Sequence, residues 1–161
     1  MKMNELGLVY FSPTGTTRKV IMEAARNIDL KSVSYDLSIH KEKKPAMQFK
    51  KNDLVLFGIP VYAGRVPKTF LEYFENLQGD NTPAALIATY GYEDALLELK
   101  NEVEKRGFKV IGAAAFPTEH SIARKIGMSR PNKEDLKVIA DFGVQLNRRV
   151  KKSENFDNIS I

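Results

Sequence analysis

The chain has 161 residues, 43% of them hydrophobic, which suits one domain built around a single core. It holds no cysteine and two histidines, His40 and His120, which excludes disulfides, a thiol nucleophile, cysteine-held iron–sulfur clusters or zinc, and a histidine-rich metal site. The net charge is +5, with basic runs at 41–44, 50–51 and 148–152 that read first as solvated faces or helix ends and second as a surface for an acidic protein partner.

No helix-turn-helix, zinc-finger or aromatic RNA-binding signature accompanies that charge, so nucleic acid is not an expected partner. No apolar run approaches the roughly 20 residues that span a bilayer, and MKMNELGLVYF lacks the long apolar stretch and cleavage site of a secretory signal. A cytoplasmic protein without a membrane role is the expectation.

Leu6 to Phe11 reads as a short buried strand, and Val20, Ile21, Ala24, Ala25 and Ile28 recur at helical spacing. The stretch between them, SPTGTT (12–17), therefore joins a strand to a helix N-terminus. The first N–H groups of a helix lack internal partners and sit at the positive end of the peptide dipoles, so an anion gains hydrogen bonds and field there. Ser12, Thr14, Thr16 and Thr17 add hydroxyls, and Gly15 lets the backbone approach a phosphate closely. The nucleoside-triphosphatase loop and the dinucleotide loop are both excluded by spacing. The bland alternative is that Thr14 caps the helix and the other hydroxyls face water.

SVSYDLSI (32–39) reads as a second strand and DLVLFGIPV (53–61) as a third, so apolar that both faces must be buried in a parallel sheet. Pro45 limits any helix between them to a short one. Pro67 opens a helix with Phe70, Leu71, Phe74 and Leu77 on one face, which Gly79 ends. PAALIATY (83–90) is a fourth strand, Tyr92 to Arg106 a helix with Leu96, Leu97, Leu99 and Val103 as its apolar stripe, and FKVIGAAAF (108–116) a fifth strand. A final helix runs from Lys133 to Val150 with Leu136, Ile139, Ala140, Gly143, Val144 and Leu146 inward, giving one domain over 1–150 and a tail over 151–161.

Five strands alternating with helices predict an α/β three-layer doubly wound sandwich, with ligands outside the carboxyl ends of its strands. The segments after strands one, three and four then share an edge: SPTGTT, PVYAGRVP and TYGYED. Tyr62 and Tyr90 offer ring faces for a flat heterocycle, while Ala63, Gly64 and Gly91 leave main-chain groups accessible to its edges. A phosphorelay receiver of the same architecture needs acids at the ends of strands one and three, where Phe11–Ser12 and Ile59–Pro60 stand instead.

The order strand–SPTGTT–helix, FGIPVYAGRVP (57–67) and ATYGYEDALLEL (88–99) resembles the flavodoxin-like superfamily of flavin mononucleotide (FMN) proteins. More narrowly, FGIPVYAGRVP with AAAFPTEHSIA (113–123) and SRPNKEDL (129–136) resembles the flavodoxin domain that many anaerobes fuse to a two-cluster ferredoxin module. The likeness runs from Tyr10 to about Leu146. It implies a five-stranded parallel sheet of order 2-1-3-4-5, FMN as cofactor, and electron transfer between a reductase and an acceptor.

The resemblance also implies that Ser12, Pro13, Thr14, Gly15, Thr16 and Thr17 surround the phosphate. Pro60, Val61, Tyr62, Ala63, Gly64 and Arg65, with Thr89, Tyr90, Gly91 and Tyr92, then flank the isoalloxazine. Gly64 is the position where a peptide could turn toward flavin N5, since glycine accepts positive φ. No catalytic side chain and no metal is implied. The cysteine-free chain carries no ferredoxin module, so electrons leave to a separate redox protein, an acidic ferredoxin being the candidate.

Such proteins are usually acidic; in this basic chain Arg65 and Lys68 would favour the reduced flavin anion. His120, between Glu119 and Ser121, reads as a loop histidine bonded to backbone, with a contact to the ring as the alternative. The alternative function is an FMN-dependent NAD(P)H:quinone-type oxidoreductase of the same fold, and either role fits a monomer or a homodimer.

Overall fold

A computed structural model describes residues 2–38, 44–61, 64–89, 93–116 and 132–155. In chain order its elements are β1 (Glu5–Tyr10), α1 (Thr16–Ala25), β2 (Lys31–Asp36), β3 (Met47–Gln48), β4 (Leu54–Pro60) and α2 (Lys68–Glu72). A 3-10 turn (Tyr73–Asn76), β5 (Leu77–Gln78), β6 (Thr82–Thr89), α3 (Glu93–Lys105), β7 (Phe108–Phe116) and α4 (Lys133–Asn155) follow.

β4 presents apolar side chains to both faces of the sheet, a pattern that is stable only when both are covered. It lies at the centre of a five-stranded sheet of order β2-β1-β4-β6-β7 in which every pairing is parallel. Counted among these five strands alone, that is the expected order 2-1-3-4-5. Val9, Val55, Phe57, Ile59, Leu86 and Ala88 point to one side, where Phe70 of α2 and Ala95, Leu99 and Val103 of α3 complete a core. Leu6, Leu8, Tyr10, Leu54, Leu56 and Ile87 point to the other, against Val20, Ile21 and Ala24 of α1 and Ile139, Leu146 and Val150 of α4. Three layers result, with β2 and β7 as edges.

Close approach of the two helices on the second face depends on one glycine. A Cβ at Gly143 would fall on the carbonyl oxygen of Ala24, a main-chain atom that cannot rotate away. Gly112 is a milder case, since a Cβ there would meet the end of the Leu146 side chain at 3.3 Å.

Several sequence expectations need correction. The helix expected from Pro67 to Gly79 is a five-residue helix followed by a 3-10 turn and a two-residue strand. Phe70, Phe74 and Leu77 are still buried in one cluster. The chain leaves the helix because Leu77 and Gln78 pair in parallel with Met47 and Gln48, and the Phe49 N–H donates to the Gln78 carbonyl at 2.9 Å. Strand pairing from a distant segment outweighs a local helical pattern. On α3 the inward positions are Ala95, Leu99 and Val103, whereas Leu97 is 57% exposed. Leu97 lies well off that 95/99/103 row, so its apolar character does not bring it inside. α4 continues five residues past Val150.

The contrast between the two glycines gives a stability test. Gly143→Ala is expected to destabilise the fold by about 2–4 kcal/mol through forced separation of α1 and α4, and Gly112→Ala by less than about 1 kcal/mol. Urea unfolding followed by circular dichroism measures both.

Candidate functional site

The carboxyl ends of β1, β4 and β6 lie side by side, and main-chain pairing continues to their last residues. Tyr10 pairs with Gly58, Pro60 pairs with Thr89, and the Phe11 N–H donates to the Gly58 carbonyl at 3.1 Å. Gly58 lets α1 descend onto this edge, since a Cβ there would lie 3.2 Å from both Ile21 Cδ1 and Thr17 Cγ2. The hydroxyls of Thr17 and Thr89, both buried, meet at 2.9 Å, and the Thr89 hydroxyl also donates to the Ile59 carbonyl at 3.4 Å. The first turn of α1 is thereby fastened to the end of β6 and, through it, to β4.

The loop before α1 is held from within. The Ser12 N–H donates to Ser38 Oγ at 2.7 Å, and the Ser38 N–H donates to Asp36 Oδ1 at 2.9 Å just past β2. The Gly15 N–H returns to the Ser12 carbonyl at 3.1 Å. Ser12 Oγ accepts the Arg18 N–H at 2.9 Å, satisfying a helix-start donor from outside the helix. Gly15 stands at the helix start with φ +86°, a left-handed conformation that favours glycine. Thr14 does not cap the helix; its hydroxyl lies 3.5 Å from that of Thr16.

The N–H groups of Thr14, Thr16 and Thr17 make no hydrogen bond among the described residues. No acidic residue stands in the first turn of α1, and a Cβ built on Gly15 meets nothing within 4 Å. The result is an open, electropositive cradle of main-chain donors with the Thr14 and Thr16 hydroxyls on its rim. These residues fit a phosphate group. Ser12 Oγ accepts the Arg18 N–H, which engages only its acceptor side, and the Thr17 hydroxyl is bonded to that of Thr89.

The second loop brings a residue that sequence reasoning missed. Glu98, on α3, accepts from Arg65 Nε at 3.1–3.2 Å, from an Arg65 terminal nitrogen at 2.5 Å, and from the Val66 N–H at 2.8 Å. Arg65 is therefore a paired cation. Hydrogen bonding to Arg65, then the Val66 N–H and the nearby charge, holds the Glu98 carboxyl below its ordinary pKa against the opposing effect of burial. The same pairing raises Arg65. Glu98 borders the buried 95/99/103 row, a margin where an acid can face a neighbouring loop; its partner is 33 residues away and is not coded by local pattern.

Gly64 has φ +77°, a left-handed conformation that favours glycine. Val61 is buried and Pro60 half-buried at the end of β4. Pro13, Thr14 and Gly15 are exposed at the edge, and Lys68 is exposed at the start of α2. Tyr62, Ala63, Tyr90, Gly91 and Tyr92, as well as Glu119, His120 and Ser121, lie outside the described residues. Among the described residues no group of three or more His, Asp or Glu could hold a metal ion, and no helix is long and apolar enough to cross a membrane.

The flavodoxin domain model matches residues 8–96, more than half of the chain and all three loops that meet at this edge. The chain belongs to the flavodoxin domain family. Its fold is shared with flavodoxin 1 from Bacillus cereus, at a TM-score of 0.66 and 16% identity over 90% of this chain and 98% of that one. The flavodoxin of Streptococcus pneumoniae TIGR4 superposes with a TM-score of 0.62 at 13% identity, covering 90% and 99% of the two chains. An NAD(P)H:quinone oxidoreductase from Methanothermobacter marburgensis has a TM-score of 0.53 at 12% identity, covering 92% and 98%.

The depressed Glu98 pKa sets a pH window. The carboxylate contributes stability fully above its unfolded value of 4.5, and that contribution is lost as pH falls through the lower folded value. Thermal melts should show Glu98→Gln less stable than the parent by a few degrees at pH 7, with the gap closing as pH falls below about 4.

Proposed function

We propose that the protein is an FMN-binding electron carrier that moves electrons between a reductase and an acceptor. The observation that carries this reading is that the Thr14, Thr16 and Thr17 amides, around a left-handed Gly15, have no partner among the described residues. A dianionic monoester there accepts these N–H donors and the Thr14 and Thr16 hydroxyls, and it meets the α1 dipole, equivalent to roughly half a positive charge. Arg18 and Lys19 are exposed one turn in and add long-range attraction without a clamp.

Ser12 and Thr17 are positioning residues. Ser12 takes the Arg18 N–H so that the cradle amides are left for the ligand, and Thr17 fixes the turn against Thr89. Pro60, Val61, Tyr62, Ala63, Gly64 and Arg65, with Thr89, Tyr90, Gly91 and Tyr92, are assigned to the isoalloxazine. Glu98 anchors the Arg65–Val66 end of that loop on α3, and Gly64 supplies the reversed backbone direction before it. Bound FMN supplies the one- and two-electron chemistry.

These 161 residues carry no cysteine, so this domain itself holds no cysteine-ligated cluster. A net charge of +5 favours encounter with an acidic redox protein.

Fluorescence titration of apoprotein tests the cofactor and the means of holding it. FMN is expected to be quenched at micromolar levels and riboflavin, which lacks the phosphate, to bind at least about 100-fold more weakly, a difference of about 2.7 kcal/mol. Equal affinity for the two flavins, or none, contradicts the phosphate cradle. Addition of NADH or NADPH alone to the loaded protein should leave the flavin oxidised; rapid bleaching would point to the reductase reading.

A further inference from the structure

A cavity of about 280 Å³ opens at the opposite edge of the sheet, where β4, β6 and β7 begin. Lys51, in the turn before β4, Lys109, the second residue of β7, and Arg149, near the end of α4, converge on it. No acidic residue lines it. Lys51 and Lys109 make no ion pair among the described residues, and the Arg149 guanidinium donates to the Ile111 carbonyl, which holds it beside the cavity. Asp53, the nearby acid at the start of β4, already accepts from the Lys50 N–H at 2.8 Å and the Asn4 amide at 3.4 Å. Met3, Ile111 and Val150 supply an apolar wall.

Three cations facing one recess repel each other, and an anion of two or more charges relieves that repulsion while hydrogen-bonding to their N–H groups. The volume lies at the lower end of small-molecule sites, too small for a protein segment, and the apolar wall suits an organic body. β6, at eight residues and about 3.3 Å per residue, puts this recess roughly 25 Å from the cradle, beyond the reach of screened charge at physiological salt. We infer that the recess is a second anion site, for a small phosphorylated organic molecule. This inference does not rest on FMN binding.

Amide NMR of the full chain, with and without FMN, tests it with adenosine 5′-monophosphate and inorganic phosphate, of similar charge, as probes. The nucleotide should shift the Asn81, Lys109 and Ile111 amides saturably with a Kd below about 1 mM. Inorganic phosphate, which lacks the organic body, should bind the same amides several-fold more weakly, and the double variant Lys51→Gln, Lys109→Gln should weaken both by about tenfold or more. Shifts confined to Thr14–Thr17, unchanged affinity in the variant, or inorganic phosphate binding as tightly as the nucleotide would each overturn the proposal.

Discussion

Two buried hydroxyls, those of Thr17 and Thr89, meet 2.9 Å apart between the start of α1 and the end of β6, and the shape of the candidate site depends on that contact. Both groups are out of reach of water, so each needs a partner inside the protein, and each is the other's. The bond fixes how far α1 slides along the sheet. With Ser12 Oγ taking the Arg18 N–H, the helix start is supported from below while its outward amides find no partner among the described residues. An end left unpaired in a folded protein is costly unless water or a ligand supplies acceptors, and this one faces the open edge.

The same division of labour runs through the rest of the edge. Glycines at 15 and 64 give the reversed backbone directions, Gly58 gives α1 room to approach β4, and Glu98 ties the second loop to α3. Most side chains that shape the cradle point away from it. They set the positions of main-chain donors at the open edge.

Much of this was legible in the sequence, for identifiable reasons. β4 could be placed because a strand buried on both faces must be apolar throughout, and β7 begins and ends at the expected residues, with Gly107 just before it. The β3–β5 pair was missed, since two-residue strands carry no period and their pairing is settled by a segment 30 residues away. The internal partners of Ser12 and Thr17 had no local signal: residue type gives a hydroxyl, and only the folded backbone brings the Arg18 N–H to one and the Thr89 hydroxyl to the other. The partner of Arg65 was not legible because Glu98 lies 33 residues on. Residue type and spacing thus located the edge and its loops, and long-range contacts decided which groups on it remain available.

The central claim is that main-chain donors, unaided by a lysine clamp, hold the phosphate. Amide NMR of the apoprotein titrated with FMN tests it residue by residue. The account predicts that the Thr14, Thr16 and Thr17 amide protons move strongly downfield as they begin to donate to a charged oxygen, and that riboflavin leaves them in place. FMN bound at full occupancy with those three resonances unmoved would contradict it.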